Sequence, residues 1–152
     1  MYEDKLRNHR FARDMDSASL ATLESCSLGE STWKKGDWIL TTGDLATRCY
    51  LVTAGDVHIE TTPPGRKSTL LQTIHGGDVL GWSWMIPPHR WAFDARAGTD
   101  VTAIVLDAAK LQEAAEADPR FGYALMKRLF TLVADRLQAT RLQLMDLYGP
   151  RA

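Results

Sequence analysis

The sequence predicts a mainly β fold, an antiparallel double-stranded β-helix (jelly roll) with flanking helices and a long C-terminal helix. Three observations carry this. Across residues 32–107, short runs rich in Val, Ile, Leu, Thr and aromatics alternate with glycine-centred breaks, the texture of a small all-β domain. The dipeptide Gly-Asp recurs at Gly36-Asp37, Gly43-Asp44, Gly55-Asp56 and Gly77-Asp78, each beside one of those runs. After Asp107 the apolar period switches to that of a helix.

The 152 residues suit one domain with a real core. It divides into an N-terminal helical segment (1–28), a β jelly roll (29–107) holding a ligand cassette (75–97), and C-terminal helices (108–149). A formal net charge of -1 at pH 7 gives no polybasic surface for nucleic acid or membrane. No stretch approaches the apolar length of a membrane span. The N-terminus mixes Glu3, Asp4, Lys5, Arg7 and Arg10, unlike a signal peptide. Cys26 and Cys49 make neither a disulfide framework nor a thiolate knuckle. A cytoplasmic location is the expectation.

In chain order, residues 2–27 read as one or two short helices, capped by Ser17 or Ser19, with Leu20 and Leu23 on one face and a stop near Gly29. Strands are expected at Trp33, 38–40, 50–52, 57–59, 70–74, 93–95 and 101–106. Gly tolerates positive φ and Asp bonds its own backbone, so the Gly-Asp pairs are turn corners. The segment 61–68, with Pro63-Pro64-Gly65, is a polar hairpin loop. Ala108–Ala117 is a short helix, and Asp118-Pro119 opens the last one by cap and first-turn rules. Gly149-Pro150 ends it.

The stretch 75–97 reads HGGDVLGWSWMIPPHRWAFDARA. Glycines, a tryptophan-rich segment, a Pro-Pro turn and an arginine lie between two strand-like runs, as a recess closing over a small anion requires. Pro87-Pro88 fixes two torsions and stops the preceding segment. Asp94 and Arg96 fall on one side of their strand and are expected to face each other or solvent. His58 reads as an edge or surface residue. His58, His75 and His89 have no metal spacing, and with Cys49 they fix no pair of haem ligands, so neither metal nor cofactor is expected. No nucleophile–base arrangement, Walker-type loop or carboxylate pair predicts catalysis, and the chain is read as a non-enzyme.

With these features in place, the chain resembles the cyclic-nucleotide-binding domain family over nearly its whole length. The fragments that carry the resemblance are Gly36-Asp37-Trp38-Ile39-Leu40-Thr41-Thr42-Gly43-Asp44, then Tyr50-Leu51-Val52-Thr53-Ala54-Gly55-Asp56-Val57, then Gly77-Asp78-Val79-Leu80-Gly81. In that family the arginine of an Arg-x-Ala triplet pairs with the cyclic phosphate, and a glutamate after the cassette glycine holds the ribose hydroxyl. The triplet matches Arg90-Trp91-Ala92, so the resemblance gives Arg90 the phosphate role, and a guanidinium fork suits phosphate oxygens. Backbone N–H groups at Gly81-Trp82-Ser83-Trp84 and the Ser83 hydroxyl would add donors. The glutamate position holds Trp82, which has one N–H donor and no acceptor. Together with Trp84 and Trp91 it forms either an aromatic wall that stacks a flat ligand or a plug that fills the site.

The last helix carries Met126, Phe130, Val133, Leu137, Thr140, Leu144 and Leu147 at alternating spacings of four and three. Sustained over about three heptads, that is a coiled-coil seam, expected to pair with a second copy about a two-fold axis. Leu125, Leu129 and Leu132 form a second strip suited to the chain's own barrel. Only Arg151 and Ala152 follow the helix stop, whereas transcription factors resembling this chain continue into a helix-turn-helix domain, so direct nucleic-acid binding is not expected. The resemblance implies a sensor for a small anionic ligand, a cyclic nucleotide among the candidates, acting through its last helix on a second copy or a separate effector protein. The alternative is a degenerate relative that serves as a homodimeric or adaptor module without ligand.

Overall fold

The computed structural model describes residues 2–62 and 64–148. Two helices, α1 (Tyr2–Asn8) and α2 (Ser17–Ser25), precede eight strands: β1 (Ser27–Trp33), β2 (Trp38–Leu40), β3 (Arg48–Ala54), β4 (Asp56–Thr61), β5 (Thr69–His75), β6 (Val79–Leu80), β7 (Asp94–Ala97) and β8 (Val101–Asp107). Helices α3 (Ala108–Ala117) and α4 (Pro119–Tyr148) follow. The strands form two four-stranded antiparallel sheets, ordered β1-β8-β3-β6 and β2-β7-β4-β5. Flanking helices and a long C-terminal helix complete the jelly roll that the sequence predicts.

The Gly-Asp corners are real. Gly36, Gly43, Gly55 and Gly77 have φ of 94, 91, 91 and 96°, a region that other residues enter at a steric cost. Asp37 and Asp78 complete their corners with carboxylates that accept from the N–H groups of Lys34 and His75, the short-range bonding expected of turn aspartates.

Two strands differ from the reading. The N-terminal helical segment, read to residue 28, closes at Ser25, and β1 starts at Ser27. Most of β1 was not legible because its own burial merely alternates between half-buried and exposed. Its register comes from β8, from Ser27 opposite Leu106 to Trp33 opposite Val101. Strand β8 lies between β1 and β3, with Val101, Ala103, Ile104, Val105 and Leu106 all buried. The second difference is β6, only two residues long and fixed by Tyr50–Leu80 and Leu51–Val79 pairing.

The α2 cap also differs: Asp16, not Ser17 or Ser19, accepts from the Ser19 N–H at 2.7 Å. A carboxylate at that place satisfies an orphan donor and suits the positive helix end. Leu23 is fully buried and Leu20 packs beside the core. His9 ties the N-terminal segment to the barrel. Its Nδ1 accepts from the Phe11 N–H at 3.1 Å, which leaves Nε2–H to donate to Val52 O at 2.9 Å. Acceptance at Nδ1 needs a neutral ring, and burial holds the His9 pKa below its usual value.

Cross-strand register explains why Asp94 and Arg96 do not pair. Strands β4 and β7 set His58 opposite Arg96 and Glu60 opposite Asp94. The Arg96 guanidinium reaches Glu60 at 2.7 Å and lies over the Trp38 ring at 5.5 Å, while Asp94 accepts from the Thr42 N–H. His58 is not on an edge strand, since β4 lies between β7 and β5. A Cβ built on Gly98 would fall 2.4 Å from His58 Nε2, so the ring occupies the space that this glycine leaves.

Both C-terminal helix starts follow the reading. Asp107 caps α3 through the Ala109 and Lys110 N–H groups, and Pro119 is the first residue of α4, with Asp118 accepting from the Arg120 N–H. One face of α4 is held by the domain: Phe121 and Leu125 are fully buried, Leu129 nearly so, and Leu132 packs at the core's edge. The heptad face is uncovered, with Phe130 76% and Leu147 61% exposed. The predicted stop at Gly149-Pro150 and the loop residue Pro63 lie outside the described residues.

Candidate functional site

Strand β6 delivers the chain to Gly81, whose φ is 92°. A Cβ here would meet the Trp91 ring at 2.6 Å, so glycine is what allows an indole from the far end of the cassette to rest on this backbone. A single 3-10 turn, Ser83–Met85, follows. It is too short to form the run of helix-start donors that the sequence suggested. Past the cis Pro87–Pro88 bond, His89 adopts a φ of 59°, and residues 89–91 are laced to the loop before β3. Ala46 N–H donates to His89 O at 2.8 Å, Trp91 N–H to Asp44 O at 3.0 Å, and Gly43 N–H to Trp91 O at 2.9 Å. Leu45 and Arg90 form an antiparallel bridge.

The predicted site residues fall into two groups. Trp84 and Trp91 belong to the core, at 2% and 5% exposure. Trp84 donates its indole N–H to Gly81 O at 3.0 Å and accepts on its own carbonyl from the Gln112 side chain at 2.7 Å, which ties the cassette to α3. Gly81 is buried, Trp82 and Ser83 are half-buried, and Arg90 and Ala92 are exposed. Arg90 donates from Nη1 to Gly43 O at 2.7 Å, and no carboxylate among the described residues comes within ion-pair reach of it.

Trp82 stands edge-on to Phe93, ring centroids 6.5 Å apart. Its other neighbour is Arg136 of α4, whose guanidinium carbon lies 4.4 Å from the ring centroid and which also donates to Val79 O. The pairing is a cation–π contact. Burial pulls the Arg136 pKa down to about 10, since desolvation penalises the charged form, and no described carboxylate pairs with it.

Arg136 was missed by sequence reading. The signal was spacing, because 125, 129, 132 and 136 continue the strip of α4 that faces the domain. Cys49, fully buried, has its thiol pushed up to about 12, chiefly by burial, and is no nucleophile.

The cassette therefore offers the exposed guanidinium of Arg90, and α4 supplies a second, Arg136, that lies on Trp82; neither pairs with a described carboxylate. Residues 30–118 match the sequence profile of the cyclic nucleotide-binding domain. The chain belongs to this family.

Solved structures share the family fold. A cyclic nucleotide-binding domain from Methylobacillus flagellatus superposes with a TM-score of 0.84 at 17% identity, covering 99% of this chain and 86% of that one. A putative cyclic nucleotide-binding protein from Geobacter metallireducens gives 0.79 at 23% identity, over 90% and 98% of the two chains. The catabolite activator protein of Thermus thermophilus gives 0.71 at 21%, over 91% and 62%. In sequence, glutaminase 1 of Bradyrhizobium diazoefficiens is 33% identical over 106 residues, 70% of this chain but only 16% of that protein's length. Among the described residues, no helix is long and apolar enough to cross a membrane.

Proposed function

We propose that this chain is a non-catalytic regulatory domain whose cassette binds a small anionic ligand, a cyclic nucleotide among the candidates, through Arg90. The observation that carries this is the state of Arg90. This exposed guanidinium spends a donor on one backbone carbonyl and pairs with no carboxylate among the described residues, so its charge is free to meet a ligand. The remaining N–H groups suit phosphate oxygens. Trp82 limits which ligand fits, because a ribose hydroxyl buried against it lacks an acceptor at a cost of about 1–3 kcal/mol. Ligands that make no such demand are favoured.

The same tryptophan connects the cassette to α4. A ligand that prefers one position of Trp82 also prefers one position of Arg136, and hence of the helix, which is the differential interaction that coupling requires. Calorimetric titration of the wild type and Arg90→Ala with cyclic AMP, cyclic GMP and acyclic nucleotides tests the site. The expected result is binding weakened at least about tenfold by the substitution. Equal affinity in both proteins, or no heat from the wild type with any of them, overturns the assignment.

The readout of the signal falls to the uncovered face of α4. Met126, Phe130, Val133, Leu137, Leu144 and Leu147 are exposed apolar residues on one helix, with Thr140 exposed between them. A contiguous apolar stripe of this kind marks an interaction surface, and its heptad spacing fits the same stripe of a second copy. In light scattering the wild type is expected at twice the chain mass and Leu137→Asp at the chain mass. A monomeric wild type removes the homodimer and leaves a separate effector protein as the stripe's partner. A Leu137→Asp dimer would place the contact elsewhere.

A further inference from the structure

A cavity of about 790 Å³ lies away from Arg90, between the loop after α1, the Gly77–Val79 turn and α4. Its charged lining is Arg10, Arg13, Asp14, Lys127, Arg128 and Asp135, with Asp78 on the turn. Arg10 and Asp78 neutralise each other at 2.5 Å, and Arg10 also donates to Gly77 O. The rest are not neutralised. Arg128 gives its donors to carbonyls, Arg13 O at 2.9 Å and Ala124 O at 3.5 Å. Arg13, Lys127, Asp14 and Asp135 make no ion pair with any described residue. Asp14 sits on the loop after α1 with a φ of 74°, a left-handed turn conformation that aspartate tolerates.

A volume in the range of small-molecule sites, three unneutralised cations and two unneutralised carboxylates together describe a ligand with two kinds of group. We propose that this cleft is a second binding site, for a phosphate monoester that carries hydroxyl groups. Arg13, Lys127 and Arg128 take the phosphate, as guanidinium and ammonium donors do, and Asp14 and Asp135 accept from the hydroxyls. Because the lining joins the N-terminal loop to α4 and includes Val79, whose carbonyl holds Arg136, an occupant bridges the elements that also bear on the cassette.

The test is calorimetric titration of the whole chain with ribose 5-phosphate and, separately, inorganic phosphate. The proteins are wild type, Arg13→Gln/Lys127→Gln, Asp14→Asn/Asp135→Asn and Arg90→Ala. The first four substitutions change exposed side chains, and thermal melts confirm that each variant is folded. Ribose 5-phosphate is expected to bind the wild type and Arg90→Ala alike, and both double variants at least about tenfold more weakly. Inorganic phosphate is expected to lose affinity only in Arg13→Gln/Lys127→Gln. No binding of ribose 5-phosphate to the wild type, or binding unchanged in Arg13→Gln/Lys127→Gln, overturns the site. Loss of ribose 5-phosphate binding in Arg90→Ala assigns it to the cassette and overturns the cleft, and indifference to Asp14→Asn/Asp135→Asn overturns the polyol assignment.

Discussion

Trp84→Ala is expected to cost about 3–5 kcal/mol of folding stability, the range for removing a buried large aromatic. The indole is 2% exposed and among the largest fully enclosed side chains. Its N–H is the bond that holds Gly81 O, so the substitution leaves both a cavity and a carbonyl without its partner. Trp82→Ala is the internal control. That ring is half-buried and lies between Phe93 and Arg136, and its loss is expected to cost about 1–2 kcal/mol. Urea denaturation midpoints at constant slope measure both. If the two variants were equally stable, Trp84 would not be the core anchor of the cassette.

Gly55→Ala is expected to cost about 2–5 kcal/mol, the sum of a left-handed backbone penalty and an overpacking penalty. Gly36→Ala pays only the first, about 1–2 kcal/mol. The two glycines have similar φ, 91° and 94°. What separates them is that a Cβ on Gly55 would fall 2.1 Å from Asp100 O and 3.0 Å from Val101 Cα, both backbone, whereas one on Gly36 meets nothing within 4 Å. A flexible side chain could move aside, but these are backbone atoms at the entry to β8, whose first residue Val101 is held by pairing with Trp33. Denaturation midpoints that put Gly36→Ala at or below Gly55→Ala would contradict this packing.

Much of the fold was legible because it rests on local rules. Gly-Asp corners and the Asp118-Pro119 helix start each follow from a few consecutive residues, and the two apolar strips of α4 from a regular spacing within one element. Apart from the α2 cap, a local bond to Asp16, the misses share one cause: a distant strand or helix supplied the decisive contact. Strand β1 is set by β8, β6 by β3, and Arg96 meets Glu60 because β4 and β7 fix that register. In the cassette, the triplet singles out Arg90, but the indole over Gly81 and above all the α4 guanidinium on Trp82 are contacts that no local run of residues dictates.

By itself the sequence determined the jelly roll, its corners, the family fragments and the double-faced helix, because backbone φ preferences and apolar periodicity act between neighbours in the chain. Only the tertiary structure decided which tryptophans are core and which one touches α4. It also decided that Arg90 and Arg136 meet no carboxylate among the described residues and that a charged cleft opens beside the N-terminal loop. Those outcomes depend on which distant groups share a desolvated space, and burial and charge pairing are properties of that space rather than of any local run of residues.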